Sequence, residues 1–172
     1  MQPPKVKATE KRAKTPEQAL AALMRLCARA EKSQEDARRL MRGWGVAEHD
    51  CEQVLARLVR DRFIDDGRYA EAFVRDKLRL SGWGEYKIRT ALQRKRIDKE
   101  LIDAALAQAD LPDMAGRLRQ LLERKMRTTR HTTQYELKTK LIRYGLSLGY
   151  DYETVLDSAA ALVTDTERCD EF

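Results

Sequence analysis

VAEHDCEQVL at residues 46–55 has two counterparts further along the chain, IDKELIDAAL at 97–106 and YDYETVLDSA at 150–159. The offsets are 51 and then 53 residues, with no gap inside the aligned stretches. Three aligned positions are hydrophobic in all three stretches. They hold Val46, Ile97 and Tyr150; Cys51, Ile102 and Val155; and Leu55, Leu106 and Ala159. Such self-similarity is typical of repeat proteins, in which each unit buries its apolar face on its neighbours. We predict three tandem three-helix repeats in an elongated, curved array; a compact bundle of eight or nine helices is the alternative.

The composition favours an all-α fold. The 172 residues include 21 Leu and 21 Ala, but only 12 Val and Ile together. Unbranched side chains and Ala lose little rotamer freedom in a helix, whereas strands favour β-branched residues. An all-β or parallel-sheet fold is therefore not expected.

Helix start and stop signals divide the chain. Thr15, Pro16 and Gln18 form the pattern of a capping box, Ser33 precedes a second helix, and Gly45 is placed to end it. The predicted segments are a disordered basic arm at 1–15, repeats at 16–64, 65–110 and 111–164, and an acidic tail at 165–172.

Several classes of protein are not expected. No run approaches the roughly 18 apolar residues of a membrane span, and the N-terminal segment has no apolar stretch of the kind found in a secretory signal. The three cysteines are odd in number and widely spaced, which is not a disulfide or zinc pattern. These features favour a cytoplasmic protein without a membrane partner.

The chain offers little catalytic material, so we expect no enzyme, cofactor or metal. His49-Asp50-Cys51 looks like a set of ligands, but neighbouring residues point to different sides of a helix, and Cys51 occupies a core position of the repeat. Asp65-Asp66 could be a pair of catalytic carboxylates; an N-cap for the following helix is the favoured interpretation. Trp83 is interpreted as a hydrophobic plug in an interhelix turn, and an exposed stacking platform is the alternative.

The net charge of +6 is unevenly distributed. Residues 1–74 carry +3, residues 75–143 carry +9 and residues 144–172 carry −6. This excess indicates affinity for a polyanion, either nucleic acid or an acidic protein surface. Aromatic residues are sparse among these cations, which favours contact with phosphate or with an acidic protein over base stacking. The predicted docking cations are Lys87, Arg89, Arg94, Lys95, Arg96, Arg124, Lys125, Arg127, Arg130, Lys138, Lys140 and Arg143.

Three motifs resemble the RecX family, the bacterial regulators of the recombinase RecA. They are FIDDGRYA at 63–70; GWGEYKIR at 82–89, followed by Leu92 and Lys95-Arg96-Ile97; and KTKL at 138–141, followed by Arg143-Tyr144 and Gly149-Tyr150. The resemblance covers roughly residues 17–163. It suggests structural roles for Asp65, Asp66, Tyr69, Gly82, Trp83, Gly84, Ile88 and Gly149. Two residues depart from the family pattern: Arg96 stands where a helix-closing glycine is usual, and Glu85 where proline is common.

The resemblance implies a non-enzymatic negative regulator of RecA. Such a protein binds the RecA filament on DNA, limits its extension or promotes its disassembly, and inhibits ATP hydrolysis, strand exchange and the co-protease activity that triggers the DNA-damage response. We also expect weak, non-specific binding to single- or double-stranded DNA, and a monomer. The alternative is an architectural or repressor-like protein that acts on naked DNA.

Overall fold

The computed structural model describes residues 13–109 and 114–169, with side chains described as far as Thr164. Within these ranges the chain forms nine α-helices and no strand, which confirms the all-α prediction. The helices are α1 Pro16–Cys27, α2 Gln34–Gly43, α3 Glu48–Arg60, α4 Asp66–Ser81, α5 Glu85–Arg94, α6 Lys99–Gln108, α7 Met114–Thr128, α8 Gln134–Leu148 and α9 Tyr152–Cys169. The predicted basic arm lies outside the described residues except for 13–15, and the side chains of the predicted acidic tail lie outside them entirely.

Polar side chains fix the starts of several helices. The predicted capping box at α1 is confirmed: the Thr15 side chain accepts from the backbone N–H of Gln18, and the Gln18 side chain accepts from that of Thr15. Ser33 and Thr133 accept in the same way at the starts of α2 and α8. Each hydrogen bond satisfies a backbone N–H that has no partner inside its helix.

The middle helix of each predicted repeat ends in the same way. Gly45, Arg96 and Gly149 all adopt left-handed backbone, with φ of 75°, 56° and 87°. The residue that follows each one donates its N–H to the carbonyl five positions earlier, as Val46 does to Met41 at 3.1 Å. The equivalent distances are 3.2 Å from Ile97 to Leu92 and 3.4 Å from Tyr150 to Gly145. This is the six-to-one hydrogen bond of a Schellman motif, so the 51- and 53-residue offsets correspond to a repeated local structure.

The aligned apolar positions are buried in every repeat. Val46, Ile97 and Tyr150 are at most 7% exposed, and Cys51, Ile102 and Val155 at most 1%. Leu55, Leu106 and Ala159 are buried as well. The interpretation of Cys51 as a core residue is confirmed, and burial raises the pKa of its thiol. The sequence period therefore marks positions that are buried in the core of each repeat.

The described residues form two compact units, one that ends at Tyr69 and one that begins at Ala70. In the first unit α3 packs on α1 and α2, and the core contains Leu23, Met41, Leu58 and Ile64. In the second unit α9 packs on α7 and α8, α7 packs on α8, and α5 packs on α6. None of the described helices is long and apolar enough to cross a membrane.

Candidate docking surface

Two turns of the second unit meet through backbone hydrogen bonds. The N–H of Gly84 donates to the carbonyl of Leu148 at 2.8 Å, and that of Tyr86 donates to the carbonyl of Gly149 at 3.2 Å. A Cβ on Gly84 would lie 2.6 Å from the backbone nitrogen of Tyr150, closer than any side chain tolerates. Glycine is therefore required here because the two backbones are in direct contact. This junction holds the start of α5 against the turn between α8 and α9.

Trp83 packs within the turn that leads to this junction. The Lys77 and Lys87 ammonium groups lie 4.7 Å and 4.6 Å from its ring centroid, and the Phe73 ring meets it edge-on at 6.3 Å. Lys87 also donates to the carbonyl of Ser147 at 2.9 Å. The half-buried indole thus holds two cations in place, which favours the packed-turn interpretation over an open stacking platform.

A cleft of about 260 Å³ lies between α5 and α8, next to the junction. Two apolar side chains in its lining are exposed, Tyr86 at 73% and Leu146 at 40%. Lys87 and Arg94 also line it, and no carboxylate does. Arg143 lies one helical turn before Leu146 and so on the same side of α8. Exposed apolar side chains surrounded by cations form a surface suited to an acidic partner that also carries an apolar side chain.

Three of the predicted docking cations already contact other side chains of the second unit. Arg89 donates to Glu85 at 2.8 Å and also to Asp103, and these hydrogen bonds raise the pKa of its guanidinium. Lys140 donates to Glu136 at 2.6 Å, and the Lys125 ammonium lies 5.3 Å from the centroid of the Tyr144 ring. The charges of Arg89 and Lys140 are thus largely balanced by local carboxylates.

Five predicted cations form no hydrogen bond or ion pair through their side chains with any described residue. They are Arg94, Arg127, Arg130, Lys138 and Arg143, and all except the half-buried Lys138 are exposed. Arg124 makes only a 3.4 Å hydrogen bond to the carbonyl of Gln120. Lys95 and Arg96 take part in other interactions, and Arg96 is exposed. The predicted set therefore divides into cations that stabilise the unit and cations that remain available to a partner.

The two neighbouring carboxylates of the first motif serve different helices. Asp65 accepts from the backbone N–H of Arg68 at 3.0 Å, which is the geometry of an N-cap on α4. Asp66 accepts from the backbone N–H and the side-chain amide of Gln34, at 2.9 and 3.1 Å, and so satisfies the start of α2. Tyr69 in the first motif and Ile88 in the second are buried. These contacts give the Asp-Asp pair a role in the fold.

Sequence reasoning missed several residues of this surface. The Glu85–Arg89 and Glu136–Lys140 pairs are four residues apart on a helix, a spacing that could have predicted them. No pattern within a few residues indicates the contact of Arg89 with Asp103, because Asp103 belongs to a different helix. The exposure of Tyr86 and Leu146 depends on which face of α5 and α8 is covered. No group of three or more His, Cys, Asp or Glu side chains is placed to hold a metal in the described parts of the chain.

The fold defines a class of protein, one built entirely from helices in three-helix units. Comparison with known proteins identifies the family. The model for the second three-helix domain of RecX matches residues 65–106, and the model for the third matches residues 113–157. The chain belongs to the RecX family of regulatory proteins.

Relatives and solved structures agree with this assignment. Regulatory protein RecX of Clostridium botulinum strain Eklund 17B is 30% identical over 128 residues, which span 73% of this chain and 59% of that protein. Regulatory protein RecX of Streptomyces coelicolor is 28% identical over 156 residues, which span 88% of this chain and 83% of that protein. The crystal structure of RecX from Lactobacillus salivarius superposes with a TM-score of 0.69 at 19% identity, over 87% of this chain and 96% of that one. A second crystal structure of regulatory protein RecX superposes with a TM-score of 0.71 at 22% identity, over 81% of this chain and 68% of that one. At these identities the solved structures support the fold.

Proposed function

We propose that this protein is a non-enzymatic negative regulator of RecA. It binds the RecA filament on DNA, limits filament extension or promotes disassembly, and so inhibits ATP hydrolysis, strand exchange and co-protease activity. Membership of the RecX family supports this proposal. The observation that carries it is the Tyr86–Leu146 cleft of the second unit, which is lined by Lys87 and by the exposed Arg94 but by no carboxylate.

The distribution of charge supports docking on a polyanionic filament. A RecA filament presents acidic protein surface and DNA phosphate together, and long-range attraction to both would favour encounter. The cations available for this contact are those without an internal partner: Arg94, Arg127, Arg130, Lys138 and Arg143. Arg89 and Lys140 contribute less because their charges are already compensated.

The test is the ATPase activity of RecA on single-stranded DNA, measured with increasing amounts of the purified protein. We expect the variant R94E/R127E/K138E/R143E to require at least about tenfold more protein for half-inhibition, since four favourable charges become repulsive. The control is R39E/R57E/R60E/R75E, which makes the same change in net charge at exposed arginines elsewhere, each of which pairs with a nearby carboxylate. Helical circular dichroism checks that both variants remain folded.

Two outcomes contradict the proposal. Unchanged inhibition by the first variant removes these cations from the docking surface. Failure of the wild-type protein to affect RecA, together with tight binding to naked DNA at physiological salt, supports the architectural alternative.

A further inference from the structure

We propose that the first unit carries a separate binding site for single-stranded nucleic acid, in the clefts around Trp44. This site uses no residue of the second unit and does not rest on the action of the protein on RecA. Five cationic or aromatic side chains carry the proposal: Lys14, Arg25, Arg29, Arg42 and Trp44.

Two clefts share one wall. The larger, of about 920 Å³, is lined by residues 13 and 14, by α1 and by the turn at residues 42–45. The smaller, of about 230 Å³, lies between α1, Arg29 and Trp44. Arg25 and Trp44 line both clefts, so the two are neighbouring parts of one concave surface. Ala21 and Ala22 contribute the lining from α1, and their small side chains leave space that a larger residue would fill.

Every charged side chain in the lining of these clefts is a cation. Arg25 and Arg29 are exposed and pair with no described carboxylate. Arg42 is paired with Glu35 at 2.9 Å, but it remains half exposed. Arg25 and Arg42 also stand in the last turns of α1 and α2, where the negative end of the helix favours a positive charge. The concave surface therefore attracts anions.

Trp44 is held in place beside these cations. The backbone N–H of Lys14 donates to the carbonyl of Trp44 at 3.0 Å, and the Lys14 ammonium lies 4.8 Å from the centroid of the indole. The indole packs partly against the core of the unit and remains half exposed. Among the described residues one ammonium lies over this indole, whereas two ammonium groups and a ring edge cover that of Trp83. The uncovered part of the Trp44 ring can contact a base while the neighbouring cations contact its phosphates.

This combination favours a single strand over other polyanions. A duplex keeps its bases stacked inside, so it has no exposed base face to pack against the indole. An acidic peptide would use the cations but has no base to pack against the indole. The sequence continues the positive charge, since residues 1–12 carry Lys5, Lys7, Lys11 and Arg12 against one carboxylate, Glu10. A flexible strand with exposed bases matches both the shape and the charge.

The experiment measures binding of the full chain to fluorescein-labelled dT20 by anisotropy, without any recombinase, over a series of salt concentrations. We expect R25E/R29E to bind roughly tenfold more weakly at low salt than the wild type. The slope of log K against log salt should decrease in magnitude by about 1.4, for two lost phosphate contacts on a single strand. The control, R57E/R60E on α3 of the same unit, reverses two exposed arginines that pair with Asp61 and line neither cleft, and it should bind like the wild type.

Tryptophan emission gives an independent readout. In a Trp83→Phe background only Trp44 remains, and we expect dT20 to quench its emission. Binding of R25E/R29E with wild-type affinity, or absence of quenching, overturns the proposal. Displacement of labelled dT20 by poly-glutamate as efficiently as by unlabelled dT20 also overturns it, as does tighter binding of a 20-base-pair duplex.

Discussion

At the scale of single residues, Arg96 is held in a backbone conformation that suits glycine. Its φ is 56°, and the carbonyl and N–H groups around it complete a Schellman motif at the end of α5. A non-glycine residue in this region costs about 1–2 kcal/mol because its Cβ approaches the backbone. The two equivalent positions in the other repeats are glycines, at 45 and 149, so among these three helix ends that of α5 alone carries this strain.

We therefore expect Arg96→Gly to raise the free energy of unfolding by about 1 kcal/mol, measured by urea denaturation. Arg96→Ala is the control, because it removes the same side chain but keeps the Cβ that causes the strain. Equal gains in the two variants would show that the side chain, rather than the backbone, is responsible. Since Arg96 also belongs to the predicted docking set, weaker inhibition of RecA by both variants would assign its charge to docking.

The lowered pKa of Glu136 leads to a second prediction about a single residue. The Lys140 ammonium, with the backbone N–H and hydroxyl of Thr132, holds the pKa of this carboxyl at about 2, against 4.5 for the ordinary side chain. A lowered pKa in the folded state means that the carboxylate contributes stability that is complete above pH 4.5 and is lost as the pH falls towards 2.

We expect the free energy of unfolding of the wild type to exceed that of Glu136→Gln at neutral pH. The difference should shrink as the pH falls from about 4.5 to 2, as measured by urea denaturation at several pH values. Glu100→Gln, which lies outside this hydrogen-bonded cluster, is the control. A difference between wild type and Glu136→Gln that does not change with pH contradicts the assignment.

Local spacing explains which single residues could be predicted from the sequence. The capping box at Thr15 and the apolar positions of the repeat follow from patterns within a few residues, and the structure contains them. The bond between Asp66 and Gln34 joins residues 32 apart, and no pattern in either segment indicates it. Side chains that satisfy another helix become visible only when the fold brings the helices together.

At the scale of elements, the glycine junction fixes α5 against the turn between α8 and α9. Gly84 has no room for a Cβ because Gly149 and Tyr150 of the other turn lie against it. We expect Gly84→Ala to lower the free energy of unfolding by about 1–3 kcal/mol, since the two backbones must separate to admit the methyl group. Urea denaturation measures the change.

Gly43→Ala is the matched control for this prediction. Gly43 is the last residue of α2, and a Cβ there meets nothing within 4 Å. Alanine is favoured over glycine in a helix by roughly 0.5–1 kcal/mol, so this variant should be neutral or more stable. Similar losses in both variants would mean that the junction at Gly84 is not tightly packed.

Helix order was predictable at this scale, while contacts between repeats were not. Capping residues marked the starts of α1 and α2, and Gly45 marked the turn that ends α2. The sequence also showed Gly82 and Gly84 flanking a tryptophan, which indicated a turn. It contained no sign that this turn contacts Gly149, because contacts between repeats depend on how successive units stack.

At the scale of the whole molecule, the 18 basic residues at 75–143 overstate the number of cations that are available to a partner. Arg89 and Lys140 are neutralised by Glu85, Asp103 and Glu136, and Lys87 is anchored on a tryptophan and a backbone carbonyl. What remains is a smaller set of cations together with two exposed apolar side chains. Docking by this surface should therefore depend on apolar contact as well as on charge.

The exposed pair Tyr86 and Leu146 tests this dependence, on the basis of the proposed action on RecA. Burial of an exposed tyrosine at the centre of an interface is commonly worth 2 kcal/mol or more. We expect Tyr86→Ala/Leu146→Ala to need about tenfold or more protein for half-inhibition of the RecA ATPase, at low and at moderate salt alike. The charge-reversal variant should instead show its largest loss of inhibition at low salt, where Coulomb attraction is least screened.

Tyr135→Ala provides the matched control. Tyr135 is as exposed as Tyr86, at 82% against 73%, but it lies in the first turn of α8 and does not line the cleft. Its removal should leave inhibition unchanged at every salt concentration. If Tyr135→Ala weakens inhibition as much as the double variant, the apolar contact is not confined to the cleft. If neither variant has an effect while charge reversal does, charge alone accounts for docking, because the cleft would then remain open in the complex.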